Sequence, residues 1–268
     1  MRMFNKLPSI SRVVPGAIAT LELPLGPTYQ SINFQCSGTA LAIAHFGRIN
    51  VVIDGKTVQT YKTMFRLTQL NSYYQKEADS ATDWSLHFDR DELMDVIYRR
   101  APGIGTQDVQ SFYIEIEILA GAPANITMAA FAQVAPVKQP LGVFMKVREY
   151  PFSSSVSGEV EIDKLPRGAF YAALHLFKAD INNVIVEADQ VKILDNTKLV
   201  LERFQKGSSP VRRVPQSGAA THIDWLLEGD LAQAINTAGL QDFRVRMLLG
   251  TSGAVDIVAE TLDTLAGV

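Results

Sequence analysis

The 268-residue sequence contains one cysteine, Cys36, so a framework of disulfides within the chain is excluded. Cys36 sits in the alternating run Ile32, Phe34, Cys36, the setting of a buried thiol in a protein folded in a reducing cytoplasm. Long apolar runs are equally scarce. The uncharged stretch 118–137 is interrupted by Pro123, Asn125, Gln133 and Pro136, and Pro123 with Asn125 reads as a turn between two strands, not as part of a membrane span. The first residues lack the continuous apolar segment and small-residue cleavage site of a signal peptide, so nothing in them indicates secretion. A formal charge of −3 gives no whole-chain attraction to nucleic acid or to an anionic membrane, and no specific nucleic-acid partner is expected.

Signatures of catalysis are missing too. The four histidines, His45, His87, His175 and His222, are far apart in sequence, and none makes the H-x-H or H-x3-H spacing that sets two imidazoles on one metal. Gly250-Thr251-Ser252-Gly253 only resembles a nucleophile elbow and reads as a turn, while Gly103-Ile104-Gly105 lacks the third glycine of a dinucleotide loop and precedes a strand. No Walker-type phosphate loop occurs. Paired carboxylates of the glycosidase kind need only two acids brought together in space, so the sequence neither selects nor excludes them.

What the chain does contain is one phrase written twice. Leu23-Pro24-x-Gly26-x-x-Tyr29-x-x-Ile32-x-Phe34 returns as Leu165-Pro166-x-Gly168-x-x-Tyr171-x-x-Leu174-x-Leu176, a turn feeding a strand. Asn50-Val51-Val52-Ile53-Asp54-Gly55 is answered by Asn183-Val184-Ile185-Val186-Glu187-Ala188, and Gln107-Asp108 by Gln241-Asp242. Three echoes in one order mean two copies of one domain, each near the usual domain size. The prolines of Ala135-Pro136-Val137-Lys138-Gln139-Pro140 place the boundary, giving a first unit over 1–137 and a second over 138–268.

Within each unit the pattern is that of short strands. Ile114, Ile116 and Ile118 alternate with Glu115 and Glu117; Val160 and Ile162 with Glu159, Glu161 and Asp163; Phe243, Val245 and Met247 with Arg244 and Arg246. One face of each is buried and the other wet, which predicts antiparallel β-sandwiches. Helical signals are few: Met64 to Tyr74, a shorter counterpart over Leu199 to Phe204, and caps at Asp89 with Glu92 and at Asp230 with Gln233.

Four features remain as candidates for function. Asp89, Asp91 and Asp95, beside Glu92, form the densest acidic cluster and offer oxygen ligands to calcium, against a helix-capping role for Asp89 and Glu92. Residues 1–14 carry Arg2, Lys6 and Arg12 with no acid before Glu22, which reads either as a solvated arm or as one that orders against a neighbouring subunit or an anionic lipid surface. Glu115 with Glu117 in the first unit and Arg244 with Arg246 in the second present opposite charge, as solvated faces or as faces that steer subunits together. Tyr73, Tyr74, Trp84 and Trp225 would line a sugar site if the chain were a two-module carbohydrate-binding or carbohydrate-cleaving protein; core packing is the competing reading of the two tryptophans.

Met1-Arg2 with Ser9-Ile10, LPLGPTY at 23–29, VVIDGKTVQTYKT at 51–63, KLPRG at 164–168 and LLEGD at 226–230 together resemble the major capsid proteins of tailless, internal-membrane-containing double-stranded DNA bacteriophages, the corticoviruses above all. The resemblance runs over nearly the whole chain. It implies an all-β fold of two tandem eight-stranded antiparallel jelly-roll sandwiches with a few short helices in loops. It further implies a non-enzymatic major capsid protein, made in the host bacterial cytoplasm, whose pseudo-hexagonal homotrimers tile an icosahedral virion around a membrane and DNA. Neighbouring trimers, other capsid proteins and viral membrane proteins are the implied partners, with lipid near the N-terminal arm. No cofactor is required; calcium is associated with the particles of the nearest relatives.

Overall fold

The computed structural model describes residues 3–135, 137–208 and 211–267. Arg2 of the basic arm and Pro136 of the boundary lie outside the described residues. The first half runs β1 (Met3–Lys6), β2 (Ile18–Glu22), β3 (Thr28–Ser37), β4 (Phe46–Ile53), β5 (Lys56–Tyr61), α1 (Met64–Tyr73), β6 (Asp83–His87), α2 (Val96–Arg100), β7 (Ile104–Gly105), β8 (Phe112–Ile118) and β9 (Thr127–Ala135). The second half repeats it as β10 (Phe144–Ser154), β11 (Gly158–Ile162), β12 (Phe170–Phe177), β13 (Ile181–Ala188), β14 (Val191–Thr197), α3 (Lys198–Arg203), β15 (Thr221–Asp224), β16 (Ile235–Asn236), β17 (Phe243–Leu249) and β18 (Gly253–Asp263).

Strand order follows the same duplication. The sheets β1-β9-β3-β6 and β2-β8-β4-β5 of the first half return as β10-β18-β12-β15 and β11-β17-β13-β14, with the two-residue strands β7 and β16 attached to β3 and β12. Each half thus has eight main strands in two facing sheets, as a jelly roll requires. β8 buries Phe112, Ile114, Ile116 and Ile118 and turns Tyr113, Glu115 and Glu117 outward; β17 has the identical burial pattern. Bulges also recur, between Tyr29 and Ser31 in β3 and between Tyr171 and Ala173 in β12.

The doubled phrase is a structural device repeated atom for atom. Tyr29 donates its hydroxyl to the Pro24 carbonyl at 2.6 Å, and Tyr171 does the same to Pro166 at 2.6 Å. Gly26 and Gly168, at φ +111° and +110°, adopt a conformation closed to other residues and donate their N–H groups to Thr106 and Thr237 at 2.7 and 3.0 Å. Two of the echoes align differently in the structure. The counterpart of Asp54 is Asp189, not Glu187: both have left-handed φ, 49° and 47°, and each Oδ1 accepts two successive backbone N–H groups. The donors are Gln110 and Ser111 in the first half and Gln241 and Asp242 in the second, so Gln241-Asp242 matches 110–111 and not Gln107-Asp108. The position demands a backbone donor, and side-chain identity leaves no trace of that.

Helix α1 forms where expected, with Thr63 Oγ1 accepting from Arg66 N at 3.2 Å. Asp230 caps a single 3-10 turn over Leu231–Gln233. Asp89 caps no helix: the true cap is Asp95, which accepts from Ile97 N at 2.6 Å to start α2, while Asp89 is buried. The arm is ordered against its own chain, β1 pairing with β9 from Met3↔Val134 to Lys6↔Phe131, and Lys6 and Arg12 remain exposed.

The two sandwiches share a seam. β10 pairs along its length with β18 and touches β5 in parallel register at Val147↔Gln59, so one sheet of each sandwich merges into the other. Phe144, Val147, Phe177 and Val258 of the second half belong to the apolar core of the first.

Candidate functional site: the junction between the sandwiches

Helix α1 delivers Tyr73 and Tyr74 onto the outer face of the β10-β18-β12-β15 sheet, where the chain collects its buried polar side chains. Glu260 on β18 is the hub. Its Oε2 accepts from Tyr74 at 2.6 Å and from Arg90 Nη1 at 2.5 Å, and Arg90 Nε lies 2.5 Å from Glu92 Oε1. Glu92 Oε2 lies 3.1 Å from Lys76. A second centre pairs Arg213 Nε with Asp224 Oδ2 at 2.7 Å, with both side chains wholly buried. Three acids face three bases, so the cluster is neutral overall while each charge has its partner.

A row of hydrogen bonds runs into the Glu260 centre and fixes its own tautomers. Gln216 N–H donates to His222 Nε2 at 3.4 Å, which leaves the His222 proton on Nδ1, aimed at His175 Nδ1 at 2.8 Å. His175 then carries its proton on Nε2, 3.3 Å from the Tyr74 hydroxyl, which donates onward to Glu260. Tyr73 stacks on the His222 ring at 4.1 Å, and the Arg90 guanidinium lies 4.1 Å over the Tyr74 ring. Burial, with His175 and Lys198 nearby, holds His222 well below the usual histidine pKa. Burial pushes the Glu260 carboxyl up, but Arg90, His175 and Tyr74 outweigh it and hold it below the usual carboxylate range. Burial raises both tyrosines well above their usual value.

This cluster is a lock and not a reaction centre. The cavity among Gln59, Tyr61, Tyr74, His87, Arg90 and Glu260 measures about 30 Å³, room for a water but far short of the several hundred Å³ that a small-molecule site encloses. Such an ion cluster contributes little net stability relative to apolar packing, and its Arg90–Glu260 and Tyr74–Glu260 contacts tie one sandwich to the other. Leu93, reaching across from the first half, packs with Met145, Ala172, Leu226 and Leu262 of the second.

The residues singled out from sequence are dispersed. Asp89 is buried with its Oδ1 3.9 Å from His87 Nδ1, Asp91 is exposed, and Asp95 is spent on capping α2. Among the described residues no group of three or more His, Cys, Asp or Glu side chains is placed to hold a metal ion. Arg244 pairs with Glu161 and Asp242, and Arg246 with Glu161 and Glu187, all within their own sheet. Glu115 accepts from Asn50 and Glu117 from the backbone of Arg48. Tyr73, Tyr74 and Trp84 are buried, so they offer no sugar platform; Trp84 stacks on Phe34 in the first core at 4.2 Å, and Trp225 packs against the second. No helix among the described residues is long and apolar enough to cross a membrane. The junction itself escaped the sequence reading because its members come from six separate stretches; Tyr73-Tyr74 at the end of the α1 stripe was the one local signal.

Comparison with solved structures places the fold. The chain superposes on a structure from Sulfolobus Turreted Icosahedral Virus with TM-score 0.69 at 14% identity, covering 98% of this chain and 91% of that one. It superposes on the PBCV-1 virus capsid with TM-score 0.65 at 7% identity, covering 98% and 93%. Two matched sandwiches locked side by side therefore define a double jelly roll of the class found in viral capsids. The major capsid protein P2 from Bacteriophage PM2 matches with TM-score 0.89 at 27% identity over 98% of each chain. In sequence, the Major capsid protein P2 of Pseudoalteromonas phage PM2 is 28% identical over 273 residues, 97% of this chain and 96% of the relative. The models of the viral coat protein P2 N-terminal and C-terminal domains match residues 4–135 and 144–265. The chain belongs to the viral coat protein P2 family; it is a major capsid protein, structural and not enzymatic.

Proposed function

We propose that three copies of this chain associate into a pseudo-hexagonal trimer, and that trimers tile an icosahedral shell around an internal membrane and DNA. The two structural units are 1–137 and 138–268. The observation that carries this is the duplication fixed by a rigid junction: six near-identical sandwiches from three chains fill a nearly six-sided block, which one gene product repeats over a shell. The partners are neighbouring trimers, other capsid proteins and viral membrane proteins, met after synthesis in the host bacterial cytoplasm. Lys6 and Arg12, exposed beside the ordered β1, supply the positive charge for contact with the membrane side. Glu115, Glu117, Arg244 and Arg246 already have partners within the chain, so they contribute to steering at most and not to trimer affinity. Light scattering of the purified protein tests the reading. A particle of three times the 29.4 kDa chain mass is expected; a monomer at all concentrations overturns it.

A further inference from the structure

The duplication leaves two strand edges whose internal counterparts are joined. Within the chain β10 lies between β18 and β5, and β5 between β10 and β4. The counterpart of β10 is β1, since β1 pairs with β9 as β10 pairs with β18, and the counterpart of β5 is β14, since β14 pairs with β13 as β5 pairs with β4. Both counterparts end their sheets: among the described residues β1 pairs only with β9 and β14 only with β13. An edge of this kind, left open, is a template for another strand.

The register carries over residue by residue. Val147 lies opposite Glu260 and Phe4 opposite Gln133; Glu260 and Gln133 occupy the same place after the shared bulges, facing Ala173 and Ser31. Gln59 lies opposite Val51 and Leu194 opposite Val186, again beside matching bulges. The internal contact Val147↔Gln59 therefore corresponds to Phe4 against Leu194, two residues at opposite edges of one molecule.

Exposure follows the same map. Phe4 is 77% exposed where Val147 is 3%. Ile193 is 41% exposed where Val58, the bulged residue of β5, is fully buried. Counting from the N-caps Thr63 and Thr197, Leu70 on α1 is 3% exposed under the seam, whereas Phe204, in the turn that continues α3, is 51% exposed. The receiving face agrees: His175, His222 and Val258, buried beneath α1, correspond to Asn33, Ser85 and Phe131, all half-exposed.

We propose that the internal seam is repeated between copies. β14 of one copy lies parallel to β1 of the next, with Leu194 opposite Phe4, and the α3 turn covers the β9-β3-β6 face with Phe204 over Phe131, Asn33 and Ser85. This rests on the trimer proposed above and names its interface. The seam between copies is uncharged on this face where the internal one is ionic, because Asn33, Ser85 and Gln133 stand where the internal seam has His175, His222 and Glu260. The six sandwiches then meet through two alternating junctions of one geometry.

Cross-linking tests the register. Adjacent strands lie within disulfide reach, and the native Cys36 is buried and gives no background. In the Phe4→Cys, Leu194→Cys double variant, oxidation with diamide, which takes up the two thiol protons and two electrons, is expected to give covalent dimers and trimers on a non-reducing gel. Each single-cysteine variant should give none. Phe204→Glu, checked for an unchanged monomer fold by circular dichroism, is expected to weaken the trimer by at least about tenfold. A protein that is trimeric by light scattering, yet neither cross-links at this pair nor loosens with Phe204→Glu, overturns this interface and leaves the trimer standing. A wild-type chain that stays monomeric removes the trimer and this interface with it.

Discussion

Replacing Glu260 by Gln removes one charge from the centre of the junction without changing its size. Arg90 then loses a partner at 2.5 Å but keeps Glu92 at 2.5 Å, and the Tyr74 hydroxyl loses a charged acceptor at 2.6 Å. Removing one side of a buried ion pair costs about 3–5 kcal/mol, and the surviving Glu92 contact sets this case at the lower end, about 3 kcal/mol. With a urea slope of about 3 kcal/mol per molar, the midpoint moves down by about 1 M. The chain supplies its own reporters, because Trp84 is buried in the first core and Trp225 packs on the second. Keeping one tryptophan at a time, by Trp84→Phe or Trp225→Phe, lets fluorescence follow each sandwich separately. The parent should unfold with both probes coincident, whereas Glu260→Gln should separate the transitions as the sandwiches uncouple. A loss below about 1 kcal/mol with the two probes still superimposed would refute the claim that the ion cluster couples the halves.

Acid should loosen the fold in a defined window. Burial and the Lys76 charge lower the His87 pKa to about 4, so the unfolded chain takes up a proton below its ordinary value of about 6.5 while the folded chain does not, and stability falls as pH drops. The His87 contribution lost between pH 7 and pH 5 is about 2 kcal/mol, and His87→Gln should flatten a plot of urea midpoint against pH over that range. Asp54→Ala and Asp189→Ala each remove an acceptor of two backbone N–H groups at a left-handed turn; each should cost about 2 kcal/mol in equilibrium unfolding, additively, and a cost for only one would mean that the two turns are not equivalent. Cys36 is buried with its thiol pushed up to about 11, chiefly by burial, so Ellman's reagent should label it only upon unfolding, and rapid labelling of the native protein would contradict its placement.

How much of this was legible in the sequence depended on the range of each interaction. The Leu-Pro-x-Gly turn was readable because proline and glycine state their backbone requirement in their identity. The strands were readable because one buried face imposes a period of two, and β8 and β17 follow it without exception. The Asp54 and Asp189 turns were half readable: the acceptor is a visible aspartate, but its partners are backbone N–H groups that any residue supplies, which is how Gln107-Asp108 stood in for Gln110-Ser111. Asp89-x-x-Glu92 has the letters of a cap, yet Glu92 is drawn to Arg90 and Lys76 in the junction, and the helix starts at Asp95. Tyr73 and Tyr74, read as candidates for a sugar surface, are interior because the second sandwich covers them, and no periodicity within the first half encodes that cover.

The placement of Glu260 on β18, the last of the described strands, also orders events in time. Arg90 and Lys76 are made early, and Arg213, Asp224 and the two histidines of the row later, but the acceptor that ties Tyr74 to Arg90 arrives only with β18. A nascent chain that has not reached that strand has Tyr74 and Arg90 without this carboxylate. The contact that bridges the two sandwiches at Tyr74 and Arg90 therefore forms only after β18 has been made, later than every other member of the cluster.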